Sequence, residues 1–106
     1  MDVLQFEWDE QNVRHLALHQ IAAVEAEQVI LNRPVDLESH LRNGEQRLAQ
    51  IGESEAGRIL IVVSTMRDHK VRVVTAWPAN KHYRRYFLSM KRNGNVGRTE
   101  TNDLRE

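Results

Sequence analysis

Arg72, Lys81, Arg84, Arg85, Lys91 and Arg92 crowd the last third of this chain, with Trp77, His82 and Tyr83 among them. Lysine and arginine neutralise phosphates, and aromatic rings stack on unpaired bases, so this mixture suits a single-stranded nucleic acid. Cleaving RNA without a metal needs a base for the 2′-hydroxyl, cations for the crowded phosphate and an acid for the departing 5′-oxygen. Glu45, His40, His69 and His82 can supply the proton chemistry. Arg47, Arg72, Lys81, Arg84 and Arg85 can supply the positive charge. Other chemistries have no foothold. His15 and His19 are spaced for one metal ion, but no glutamate follows His15 and no third ligand is evident, so no metal is expected. There is no glycine-rich phosphate loop and no Gly-x-Ser-x-Gly elbow, so no cofactor is expected and neither a kinase nor a serine hydrolase is indicated.

The net charge of zero conceals a polarity. Residues 1–40 hold eight acids and two bases, a net −6, while residues 58–98 hold ten bases and one acid, a net +9. That predicts one face for an anion and another for a different partner, unless folding interleaves the two halves. The basic final helix in particular predicts an acidic or amphipathic partner segment.

The elements that would position these residues follow from periodicity. Leu4, Phe6 and Trp8 alternate with Gln5 and Glu7, as in a strand, and Asp9 can cap a helix carrying Val13, Leu16 and Ala17. Gln20 to Leu31 predicts a second helix, ended by Asn32-Arg33-Pro34. Val35 to Gly44 is polar and reads as a loop. Strands are predicted over Glu45 to Ile51, Arg58 to Thr65 and Lys70 to Trp77, where Arg72 points away from Val71 and Val73 and the apolar Val74 breaks the alternation. Asn80 can cap a last helix over Lys81 to Lys91, whose Tyr83, Tyr86, Phe87 and Met90 form an apolar stripe, with Tyr86 and Phe87 assigned to the core. Trp77 suits either core packing or base stacking.

With 106 residues, 41% hydrophobic and 28% charged, the chain supports one α+β domain over residues 1–92, with a polar, disordered tail over 93–106. The expected sheet is antiparallel with three to four strands. With no cysteine, no basic leader at Met1 to Trp8 and no apolar run long enough for a bilayer, a cytoplasmic protein without a membrane partner is expected.

Several stretches together resemble the BrnT family of bacterial ribonuclease toxins. Phe6-Glu7-Trp8-Asp9-Glu10, Asn12 and then His15 to His19 are similar to the family's Phe-x-Trp-Asp opening, its Asn and its Lys/Arg-His-Gly step. Glu25 to Val29 looks like its second helix. Gly44-Glu45-Gln46-Arg47 resembles its Gly-Glu-x-Arg start of a strand, which Ile51-Gly52 closes. Leu60 to Thr65 and Val71 to Ala76 are similar to its central strands, and Arg84-Arg85-Tyr86 to a basic-then-Tyr step in its last helix. The ordered match spans about residues 5–87.

The resemblance implies a RelE-like fold and cleavage of RNA without metal or cofactor. It also implies a hetero-oligomer with a neutralising antitoxin of ribbon-helix-helix type. Carried over residue by residue, the resemblance points to Glu45, Arg47, Arg72 and Arg84; on the proton and charge chemistry above, Glu45 is the candidate base, His82 the candidate acid, and the three arginines would hold the phosphate. Lys81, Arg85, Trp77 and Lys91 would bind RNA. Two departures stand out: Gln20 occupies the family's usual glycine, and Trp77 a position where many members carry arginine. Removing one preorganised charge stabiliser can cost about a hundredfold in rate. A catalytically weak module that binds RNA or a protein is therefore the alternative.

Overall fold

The computed structural model describes residues 3–95. The elements run β1 (Phe6–Glu7), α1 (Glu10–Ala17), α2 (Ala23–Leu31), β2 (Val35–Arg42), β3 (Glu45–Glu53), β4 (Ile59–Arg67), β5 (Lys70–Pro78) and α3 (Lys81–Asn95). The fold is α+β, as expected, but the sheet has five strands in the order β1-β5-β4-β3-β2 and is mixed rather than purely antiparallel. β2 to β5 are antiparallel neighbours, whereas β1 lies parallel to β5, with Phe6 opposite Val71 and Glu7 opposite Arg72. Two helices and three strands separate β1 from β5 in the chain, the long connection that a parallel pair requires.

The segment expected to be a loop is the edge strand β2. It hides little from water on either side, so its residues need no apolar alternation, and charges suit an exposed edge. Its signal lies in the link to β3. Asn43 and Gly44 have φ of +52° and +78°, the two left-handed positions of a type I′ hairpin, which favours Asn-Gly.

The two faces of the sheet are built differently. α1 and α2 cover one face, packing Leu16, Ile21, Ala26 and Val29 against Leu60, Val62, Val73 and Ala76. Gly52 lets α2 approach β3, since a Cβ there would meet Val29 Cγ1 at 2.9 Å. Asp9 caps α1 as predicted, its Oδ1 accepting from the Asn12 amide at 2.8 Å. α2 starts three residues later than expected because Gln20 takes φ +60° and Ala22 is extended.

The opposite face carries α3, capped by Asn80, whose Oδ1 accepts from the Tyr83 amide at 2.9 Å. Among the described side chains of α3, Phe87 is the buried one, set against Ile51, Ile61 and Ala79. Tyr86, expected in the core beside it, is 40% exposed, as is Met90, and Tyr83 is 39% exposed. The helix meets the sheet along one line, and the rest of its apolar stripe borders a groove. α3 continues to Asn95, past the expected Lys91. Of the tail expected to be disordered, 96–106 lies outside the described residues.

Candidate functional site

The groove occupies the α3 side of the sheet and has a volume of about 620 Å³. Its floor comes from β3, β4 and β5 through Arg47, Ala49, Ile61, Val63, Thr75 and Trp77. One wall is β2 with His40 and Arg42, and the other is the start of α3 with His82, Tyr83 and Tyr86.

Strand register dictates this composition. Cross-strand partners share a face, and His40 pairs with Arg47, Arg47 with Thr65, and Thr65 with Arg72. One lateral row therefore runs His40, Arg47, Thr65, Arg72 across four strands. Another row, four residues along β3 and β4, runs Ile51, Ile61, Trp77. The face thus grades from an aromatic, apolar end to a cationic one. A bulge at Val74 makes this grading continuous, because Val63 pairs with Thr75 while the next residue, Ser64, pairs with Val73.

The charged end is tightly paired. Arg72 Nη2 donates to Asp9 Oδ2 at 2.6 Å, and Glu7 lies 4.0 Å from Arg72 Nη1. The Asn12 amide and the Arg72 guanidinium hold the Asp9 carboxyl below its ordinary range. Glu45 accepts from Arg67 at 2.9 Å through one oxygen and from Arg47 at 3.4 Å through the other. Arg67 first, then Arg47, depresses the Glu45 carboxyl and keeps it ionised. Arg47 Nε is buried and has no hydrogen-bond partner among the described residues, so Glu45 does not exhaust the guanidinium's donors.

The sequence-predicted residues divide accordingly. Arg47, Trp77 and His82 line the groove together. Arg72 shares their face at the end of the lateral row. Glu45, the register partner of the lining residue Arg42, does not itself line the groove and is clamped between Arg67 and Arg47. Arg84 does not join the cluster, because its Nη1 donates to the Ala79 carbonyl at 2.8 Å. Lys81 and Arg85 project from the exposed surface of α3. Lys91 donates to the Arg33 carbonyl at 2.9 Å and its ammonium sits 5.7 Å from the Phe87 ring centroid, so it fastens α3 down.

Folding also partly interleaves the charge-polarised halves. Besides Arg72 with Asp9, Arg58 makes a two-pronged contact with Glu25 at 2.8 and 2.5 Å. Among the described residues, Lys81, Arg84 and Arg85 have no acidic partner within ion-pair distance.

Sequence reasoning missed Arg42 as a groove residue and Thr75 as a contact for His15, whose Nε2 lies 3.1 Å from Thr75 Oγ1. The Asn43-Gly44 dipeptide could have found Arg42 and placed His40, since counting back from a two-residue turn pairs Arg42 with Glu45 and His40 with Arg47. A second hollow, about 530 Å³, lies on the α1–α2 face, lined by Leu4, Ile30, Leu48, Met66 and Val71 among other uncharged residues.

These features define a class of protein: a small α+β domain whose five-stranded sheet offers one arginine- and aromatic-lined groove. Within that class the assignment is specific. The family model described as the ribonuclease toxin, BrnT, of type II toxin–antitoxin systems matches residues 8–82, and the chain belongs to that family. Membership implies a ribonuclease toxin with a protein antitoxin as partner. No curated protein matches the chain. No helix among the described residues is long and apolar enough to cross a membrane.

Proposed function

We propose that the chain cleaves single-stranded RNA in the groove between the sheet and α3, without a metal ion, and that a co-encoded antitoxin of ribbon-helix-helix type neutralises it in the bacterial cytoplasm. The carrying observation is the juxtaposition of the lateral arginine row with the aromatic end of the same face. Bases stack on Trp77, Tyr83 and Tyr86 while Arg47 and Arg42 hold the phosphate. Arg72 joins by exchanging Asp9 for a phosphate oxygen. His82 protonates the leaving 5′-oxygen. Lys81 and Arg85 draw in the flanking backbone, and Arg84 adds charge to that same helix. Glu45 anchors Arg47 rather than abstracting a proton, because both of its oxygens are engaged. The RelE-like reading of the fold is supported by leading helices, a largely antiparallel sheet and a closing helix.

The test is incubation of the purified protein with unstructured RNA in chelator. Wild type yields fragments, while Arg47→Ala and an Arg72→Ala/Arg84→Ala pair yield far fewer. A wild type as inert as these variants ends the enzyme reading. The ties of Arg72 to Asp9 and Glu7, and a tryptophan where many members carry arginine, favour a second reading: a module that binds RNA or a partner without cutting. Salt-dependent RNA binding with no product distinguishes it.

A further inference from the structure

We infer that His40 is the general base of the proposed cleavage, the group that removes the 2′-hydroxyl proton; the inference rests on the reading above. Glu45, the nearest carboxylate to Arg47 in sequence, has each oxygen bound to an arginine and stands outside the groove lining. His40 stands directly opposite Arg47 in the β2–β3 register, on the groove face, and lines the cavity itself. His82 lines the same cavity from α3. Two imidazoles thus reach one site from separate walls, beside the arginine that holds the phosphate.

The charged and titratable groups around His40 are Glu38, Arg42 and Arg47 from the sheet, and His82, Tyr83 and Tyr86 from α3. Glu38 is the only free-standing carboxylate in that lining, but its register partner is Ala49, toward the apolar end and away from the arginine row.

The step balances without a co-reactant. His40 takes the 2′-hydroxyl proton, the 2′-oxygen bonds to phosphorus, and the bond from phosphorus to the 5′-oxygen breaks. His82 then gives its proton to the departing oxygen. The products are a 2′,3′-cyclic phosphate and a 5′-hydroxyl, and solvent resets the two imidazoles.

The experiment measures cleavage and RNA affinity separately for wild type, His40→Ala, His82→Ala and Glu38→Gln, each shown by thermal melting to be folded. His40→Ala cuts the rate by about a hundredfold or more at unchanged affinity, and free imidazole restores part of it, which a merely structural role would not permit. A substrate with sulfur in place of the 5′-oxygen needs no acid for its leaving group, so it rescues His82→Ala and leaves His40→Ala slow. Glu38→Gln stays near wild type. The inference is overturned if His40→Ala cleaves within about twofold of wild type, if the sulfur substrate rescues it, or if Glu38→Gln takes the loss instead. An active wild type with an unaffected His40→Ala removes the base assignment alone. A wild type that forms no cyclic phosphate overturns the cleavage reading together with it.

Discussion

Arg72 and Trp77 stand on the same face of β5 although they are five positions apart, a spacing that strict alternation would split between the two faces. Their strand neighbours on β4, Thr65 and Ile61, are an even four apart. The extra residue Val74 absorbs the difference. Deleting Val74 leaves Arg72 and Trp77 four positions apart, so regular alternation keeps both on the groove face and only the bulge is lost. The expected outcome is a stability change within about 1 kcal/mol, together with retained RNA binding. A urea denaturation series checks the first and fluorescence anisotropy the second.

Asp9 both caps α1 and neutralises Arg72, and one substitution separates the two roles. Asp9→Asn keeps a good cap but removes the charge that holds the guanidinium. RNA affinity is expected to rise severalfold, and the slope of log K against log salt to steepen by roughly 0.7, the increment for one more phosphate contact on a single strand. Anisotropy titrations at three or more salt concentrations decide the matter. An unchanged slope would show that Arg72 makes no phosphate contact.

Gln20 holds a left-handed φ of +60°, a conformation that glycine adopts without steric cost. Its carbonyl accepts from Arg58 at 2.8 Å, a bond that glycine would preserve. Gln20→Gly is therefore expected to stabilise the fold by about 1 kcal/mol, visible as a rise of several degrees in Tm.

Glu25 ties α2 to the β3–β4 turn through Arg58 and the Ser54 hydroxyl, with 15% of its side chain exposed. Arg58 first, and then Ser54 against the opposing effect of burial, holds its carboxyl below the ordinary range. Asp9 and Glu45 are depressed likewise. A depressed carboxyl stabilises the fold fully above its ordinary value, 3.8 for Asp and 4.5 for Glu, and that contribution is lost as pH falls from there through the folded value. Stability should fall as the medium is acidified through that window. Glu25→Gln should cost about 2 kcal/mol at pH 7 and flatten the decline. Chemical denaturation at several pH values tests both.

The sequence disclosed those features whose cause is local. Asp9 and Asn80 each had a helix to cap, and Ile59 to Val63 could only be an interior strand. β2 stayed hidden because an exposed edge strand imposes no hydrophobic period, leaving Asn43-Gly44 as its one sign. The groove was half legible: Arg47, Trp77 and His82 follow from residue type and element. The departure of Arg84 does not follow, since its bond to the Ala79 carbonyl depends on how the turn before α3 closes. The clamping of Glu45 also escaped, because Arg67 comes from another strand at a separation of 22 residues. Val74 was visible as a break in alternation, but its effect on Trp77 needed the register.

Phe87 embeds α3 almost single-handedly, while β4 and β5 are sealed by bonds along their whole length. Amide protons of α3 should therefore exchange with deuterated solvent well before those of the central strands. One wall of the groove thus belongs to a unit less protected than the central strands that form its floor. Its aperture is then an equilibrium, which anything that grips the closing helix can shift.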